Sequence, residues 1–464
     1  MAESHVSFVA VVLGVAAALN PACKGRDVAD GPARPSVLLI TLDTTRADHL
    51  GAYGYARPTS PNLDELAAES TVYENAYSTS SWTLPAHASL FTGRYPSSHG
   101  ARHDPAGGLL LADGIDVPAP VRARAMARGE RTLASVLADE GFATAAVVAG
   151  PWLIQQFGLA TGFDHYDDAD ILNANGRRAN QVTDAALEWL ATVPEPFFLF
   201  LNYFDPHSPY MPPGAWARSF LPRGVVPNVR SAGQATARYD AEILFMDDQI
   251  GRLFRALRES GRWDRTLVVV TGDHGEFLGD RDLWGHERFL WEPLVRVPLI
   301  VKPAGSSRPG RREQRRMSVV DVLPMVLERI GVDVPEGVQG TAAPGSARPV
   351  LAEVHPMSGK GLEHGAWKAS WEGSSKFLRN SLGQRYLFDL EDDPDEMHNL
   401  AATEPERAAR AERALDQAFA ALPPPGFAAE VVVDDRTREA LEQLGYLEET
   451  SSEARSHTRM EASE

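Results

Sequence analysis

With one cysteine, Cys23, in 464 residues, the chain can form no intramolecular disulfide, so packing must supply its stability. It has no surplus of positive charge. Its 45 Lys and Arg stand against 63 Asp and Glu, a formal net charge of −18, which excludes an unaided electrostatic grip on nucleic acid or anionic lipid. An anionic substrate would then need a local positive site, and a metal ion is the natural supplier. The apolar run Val6–Leu19 is too short to span a bilayer comfortably. No repeat of roughly 20–50 residues is visible, which excludes solenoids and propellers.

What is present begins with a leader. Val6–Leu19 has the length of a signal-peptide core, although Met1–Ser7 carries Glu3 and His5 and no Lys or Arg. The expectation is an exported protein, periplasmic or associated with the cell envelope. Asn20-Pro21-Ala22-Cys23 follows the run, so Cys23 is a candidate site for a lipid anchor, while Asn20 and Pro21 fit a lipobox poorly.

With 44% apolar residues, the rest can bury a large core. The runs Val37–Leu42, Ala143–Val148, Phe197–Leu201, Leu267–Thr271 and Val297–Val301 read as strands buried on both faces. Amphipathic stretches at Asn62–Glu69, Arg131–Glu140, Gln181–Ala191 and Tyr239–Glu259 read as helices. The alternation predicts an α/β fold, a mostly parallel central sheet covered by helices on both faces. The expected layout is a leader at 1–31, a catalytic domain at 32–330, a smaller α+β subdomain at 331–448 and a polar, disordered tail at 449–464. Arg385–Leu390 and Glu404–Leu422 are the strand and helix expected in that subdomain, and the Pro- and Gly-rich segment Pro209–Gly233 is long enough to face a substrate.

In open parallel sheets, ligands bind beyond the carboxyl ends of the strands. Two predicted strands end in acid: Leu38-Leu39-Ile40-Thr41-Leu42 runs into Asp43, and Leu267–Gly272 runs into Asp273-His274-Gly275-Glu276. One such Asp is commonly a polar turn. Two of them with an adjacent His make a candidate metal set, and carboxylates with imidazole suit Zn²⁺ or Mn²⁺ without excluding Ca²⁺ or Mg²⁺.

Between these ends lies Thr83-Leu84-Pro85-Ala86-His87-Ala88-Ser89-Leu90-Phe91-Thr92-Gly93-Arg94. The segment resembles the sulfatase signature of the alkaline phosphatase superfamily, with Thr83 on the nucleophile, Pro85 on the proline and His87 on the arginine. The resemblance continues through Leu39–Gly54, Asp205–Tyr210, Asp273–Gly279, Gly285-His286, Arg296–Ile300, Val320–Pro324, Asp389–Leu400 and Leu444–Tyr446, in the family's order. It implies an alkaline-phosphatase-like fold, one divalent metal held by Asp43, Thr83, Asp273 and His274, and catalytic roles for Thr83, His207, His286 and His87. His207 and His286 fall where the family places basic residues near the transferred group, for anion binding and protonation of the leaving oxygen. Arg94 is expected in a structural ion pair, and Asp205, without a matching pair of histidines, is not expected to hold a second metal.

Departures from the family narrow the chemistry. Sulfatases oxidise the signature cysteine or serine to formylglycine, whereas a threonine cannot yield that aldehyde. Thr44 follows Asp43 where a second Asp is common, and Ala149–Leu153 lacks the family's Lys and His. Metal-activated threonine alkoxide chemistry, as in related phosphoryl-transfer enzymes, is therefore expected, with a phosphate or phosphonate ester chemically favoured over a sulfate ester. The substrate is expected to be an anionic small-molecule, glycan or lipid ester. Alternatives are a phosphoethanolamine- or phosphoglycerol-type transferase and an inactive relative that binds an anionic glycan.

Overall fold

The computed structural model describes residues 34–103, 109–111, 123–127, 129–171, 176–286, 288–305, 309–343, 348–355, 364–426 and 431–433. The expected leader, Cys23, Leu444–Tyr446 and the expected tail lie outside them.

A nine-stranded sheet forms the centre. Its strands are β1 (Ser36–Leu42), β2 (Thr71–Tyr77), β3 (Ala143–Val147), β4 (His165–Asp167), β5 (Phe197–Tyr203), β6 (Thr266–Gly272), β7 (Arg296–Val297), β8 (Leu299–Lys302) and β9 (Arg311–Ser318). β6, β1, β5, β3 and β4 lie side by side and run parallel. β8 adds antiparallel to β6, β2 pairs antiparallel with β7 and β8, and β9 runs parallel to β2. The mostly parallel α/β reading is therefore correct.

Burial on both sides explains why the central strands read as continuous apolar runs. Along β1, Val37 and Leu39 enter one core with Leu84, Leu90, Leu133, Leu137, Leu323 and Leu327. Leu38, Ile40 and Leu42 enter the opposite core with Leu63, Val182, Ile243 and Met246. The first layer is built by α2 (Thr83–Thr92), α3 (Leu133–Asp139) and α6 (Val322–Arg329). The second is built by α1 (Pro61–Ala67), α4 (Ala179–Leu190) and α5 (Ala235–Glu259).

Local chemistry moves some of the expected boundaries. The single strand expected at Val297–Val301 is broken into β7 and β8 at Pro298, which has no N–H for the ladder. α1 begins at Pro61, where Ser60 makes no side-chain cap; instead Asp247, across on α5, accepts the N–H groups of Asn62 and Leu63 at 2.9 Å each.

A four-stranded antiparallel sheet follows: β10 (Val350–Val354), β11 (Trp367–Glu372), β12 (Ser375–Asn380) and β13 (Arg385–Asp389). Helix α7 (Pro405–Ala420) packs Ala408 and Leu415 against Phe377 and Leu387. Glu353 of β10 reaches back toward the signature segment and accepts the Ser97 N–H at 2.6 Å and the Ser97 hydroxyl at 2.7 Å. Among the described residues, no helix is long and apolar enough to cross a membrane.

Candidate active site

β1 and β6 are in register with Leu42 opposite Gly272, so Asp43 and Asp273 emerge side by side from adjacent parallel strands. Asp43, Asp273 and His274 are buried, and their potential ligand atoms lie within 4.8 Å of one another. Asp273 Oδ1 accepts the backbone N–H groups of Thr44 (3.1 Å) and His274 (2.7 Å). Asp273 Oδ2 and Asp43 Oδ1 are buried with no hydrogen-bond partner among the described residues. Burial, reinforced by the Asp273 charge, pushes the Asp43 carboxyl well above its usual range, and burial raises Asp273 to about 6. Two orphaned carboxylate oxygens beside an imidazole are costly for an empty site and fit a bound cation.

His274 has the tautomer that such a cation requires. Its Nδ1–H donates to the Gly275 carbonyl at 2.9 Å, so Nε2 carries the lone pair. This nitrogen lies 3.2 Å from Thr83 Oγ1 and 3.4 Å from Asp273 Oδ2. Gly275 is required at its position because an added Cβ would sit 2.0 Å from the Pro293 carbonyl oxygen.

Thr83 is the first residue of α2, so its hydroxyl lies at the positive end of the helix dipole. Pro85 is tolerated in this first turn, where N–H groups lack intrahelical partners. Gly93, in the left-handed conformation with φ 64°, ends the helix and donates to Ser89 O.

His87 lies one turn along α2, buried, and its Nδ1–H donates to the Thr83 carbonyl at 2.8 Å. Its Nε2 then accepts from Thr41 Oγ1 at 2.9 Å, which ties the start of the helix to β1. Burial holds His87 below the usual histidine range, a neutral imidazole where the signature has an arginine.

His207 and His286 gather on the other side of His274. The His274 and His286 ring centroids are 4.5 Å apart, those of His207 and His286 5.1 Å, and His207 stacks on Phe204 at 4.3 Å. His207 Nδ1–H donates to Ser208 O at 2.6 Å, and His286 Nδ1 pairs with Glu276 Oε1 at 3.0 Å. Burial lowers both histidines to about 3, with the neighbouring His286 adding to the shift at His207. All the described residues expected in the site are thus brought together.

Four supporting residues were not identified from the sequence. Asn202, at the penultimate position of β5, accepts the Ala149 and Gly150 N–H groups through Oδ1 at 3.2 and 3.1 Å. Its amide nitrogen points to Thr41 Oγ1 (3.2 Å) and Asp43 Oδ2 (3.5 Å). Buried Glu276 orients His286 and has Tyr210 beside it; burial raises its carboxyl to about 7. Tyr239 of α5 accepts the Arg46 N–H at 2.9 Å and donates to the Thr44 carbonyl at 2.7 Å, holding the turn in which Thr44 adopts φ 49°. Polar residues at strand ends and one face of α5 were the available signals, and each is equally common as a plain surface residue.

Three further candidates each have a partner in the scaffold. Arg94 pairs with Glu130 at 2.6 Å, as expected. Arg46 is engaged with Asp48, Asp280 and the Glu276 carbonyl. Asp205 caps α4 by accepting the Ala179 N–H at 2.8 Å. Among the described residues, Asp43, Asp273 and His274 form the one cluster of three or more His, Cys, Asp or Glu suited to a metal.

Comparison with known proteins decides the family, since the Sulfatase family model matches residues 35–332. The chain belongs to the sulfatase family. It is a sulfatase-family hydrolase acting on ester bonds, within the alkaline phosphatase superfamily. It is 28% identical to the multifunctional alkaline phosphatase superfamily protein PehA of Trinickia caryophylli, over 79% of this chain and 91% of that one. It is 24% identical to an arylsulfatase of Clostridium perfringens, over 80% and 91% of the two chains. The solved phosphonate monoester hydrolase of Agrobacterium radiobacter superposes with a TM-score of 0.67 at 20% identity, covering 83% of this chain and 96% of that one. These sulfatase relatives and the fold agree.

Proposed function

We propose that the protein cleaves a sulfate-, phosphate- or phosphonate-type ester of an anionic substrate, with Thr83 as nucleophile and one divalent cation held by Asp43, Thr83, Asp273 and His274. The carrying observation is Thr83 Oγ1 at 3.2 Å from the lone-pair nitrogen of His274, beside the orphaned oxygens of Asp43 and Asp273. A cation bound there would lower the pKa of the Thr83 hydroxyl and neutralise charge on the transferred group. Zn²⁺ or Mn²⁺ suits the mixed carboxylate and imidazole set.

The protein's own groups supply the rest. The α2 N-terminus and the His87 bond to the Thr83 carbonyl fix the nucleophile's position. Thr83 Oγ attacks phosphorus or sulfur, the bond to the leaving oxygen breaks, and the proton lost by the Thr83 hydroxyl ends on that oxygen to give an alcohol; water then cleaves the threonine ester, releasing the oxyanion and restoring the hydroxyl. His207 and His286 line the approach as neutral hydrogen-bonding rings, with Glu276 setting the orientation of His286. Because Thr83 cannot provide the gem-diol escape of formylglycine, phosphate or phosphonate esters suit this site better than sulfate esters. PehA, described as multifunctional, and the phosphonate monoester hydrolase support that breadth. The same reading takes Val6–Leu19 as an export signal and the enzyme as periplasmic or cell-envelope associated. Hydrolysis of paired phosphate, phosphonate and sulfate esters by wild type and Thr83→Ala tests the proposal; turnover unchanged in Thr83→Ala would exclude Thr83 as nucleophile.

A further inference from the structure

A second polar feature adjoins the histidine cluster and has no role in the chemistry above. Behind His207 lies a cavity of about 10 Å³ lined by Arg178, Phe204, Asp205, His207, Met211 and Glu242. That is close to the minimum that holds one water-sized group. Asp205 and Glu242 are both buried, and each is pinned through one carboxylate oxygen: Asp205 Oδ2 accepts the Ala179 N–H and Glu242 Oε1 accepts the Met211 N–H, both at 2.8 Å. Glu242 Oε2 is buried with no hydrogen-bond partner among the described residues. An orphaned, fully buried carboxylate oxygen on a cavity wall costs stability unless something cationic or hydrogen-donating meets it.

The charged groups around this cavity limit what that partner is. Arg178, half-buried, donates to the Met211 carbonyl at 3.3 Å. Arg238, one turn from Glu242 on α5, spends its guanidinium on the carbonyls of Tyr210, Asn228, Val229 and Ser231. Both temper the negative charge without donating to Glu242 Oε2. Asp205, Glu242 and His207 line the same cavity but do not bring their ligand atoms as close together as Asp43, Asp273 and His274 do, which makes a poor divalent-metal site, whereas a primary ammonium has the size of a water molecule and donates hydrogen bonds without needing a full coordination shell. A quaternary ammonium is too large for the volume.

Resting on the esterase reading above, we propose that this cavity is a subsite for a primary ammonium group on the substrate, bound by Glu242 and Asp205 next to His207. The substrate class is then an ester whose organic portion carries an amine, its ammonium entering the cavity while its anionic group meets Thr83.

The test compares 2-aminoethyl phosphate with propyl phosphate, similar in size and differing in the ammonium, by calorimetric titration of the full-length protein in Zn²⁺. Wild type is expected to prefer the amine by roughly tenfold, the scale of one charge-assisted hydrogen bond. Glu242→Gln and, independently, Asp205→Asn should bring the ratio of the two affinities near one. Equal affinities in wild type, or a preference retained in both variants, would overturn the subsite. A thermal shift with ethylammonium chloride against matched KCl and CaCl₂ reports on the cavity without an ester. Stabilisation by ethylammonium that is lost in Glu242→Gln supports the subsite even if neither phosphate binds or reacts, an outcome that would count against the esterase reading alone. With the protein already saturated in Zn²⁺, stabilisation by CaCl₂ but not by ethylammonium, lost in Glu242→Gln, would replace the ammonium with a metal and refute the proposal, as would no stabilisation by ethylammonium at all.

Discussion

Glu353 should make this fold labile to acid in a way that one substitution removes. It is fully buried on β10 and bonds the Ser97 N–H and hydroxyl, with Arg102 at 3.9 Å and His355 at 3.4 Å. Burial alone would raise its carboxyl, but the His355, Ser97 and Arg102 interactions prevail and lower it from 4.5 to about 2. A depressed folded-state value means that the carboxylate contributes stability above the unfolded pKa of about 4.5, and that this contribution is lost as pH falls toward 2. The span of about 2.5 units corresponds to about 3 kcal/mol. Urea unfolding of wild type and Glu353→Gln at steps between pH 6 and pH 3 checks this, because the other carboxyl groups titrate alike in both proteins and cancel. Wild type should lose about 2 kcal/mol more than the variant by pH 3, where the titration is part-way through. Parallel pH dependence in the two proteins would refute the reasoning.

Two further substitutions test the interior. Lys376→Met should cost about 3–5 kcal/mol in urea unfolding, because buried Lys376 pairs with Glu396 at 2.6 Å and Glu292 at 3.0 Å, and Met would leave those carboxylates uncompensated. Asn202→Ala should cost about 1–3 kcal/mol for each of the Ala149 and Gly150 N–H groups left unpaired. It should also weaken divalent-ion binding by roughly tenfold, measured calorimetrically, since Asn202 supports Asp43.

The features legible in the sequence were those written in hydrophobicity or at strand ends. β1, β3, β5 and β6 are unbroken apolar runs because both faces are covered, and Asp43 and Asp273 stood out because each stops such a run. β9, Arg-Arg-Glu-Gln-Arg-Arg-Met-Ser, was illegible for the opposite reason: it pairs along β2 at the edge of the sheet, where charge discourages further pairing and no apolar face is needed. α2 was legible as a motif and not as a helix, because every one of its residues is buried and no amphipathic period marks it. The supporting network of Asn202, Glu276, Tyr210 and Tyr239 depends on contacts between residues far apart in the chain, which no local pattern encodes.

The central claim is that Thr83 reacts at a metal site. The most direct test is hydrolysis of a phosphate monoester, a phosphate diester, a phosphonate monoester and an aryl sulfate by full-length wild type and Thr83→Ala, each with Zn²⁺, Mn²⁺ or Ca²⁺ and after chelation. Phosphate or phosphonate turnover should need the ion and fall by at least about 100-fold in Thr83→Ala, with the melting temperature of the metal-free protein little changed. Metal-independent turnover, or full activity in Thr83→Ala, would contradict the claim.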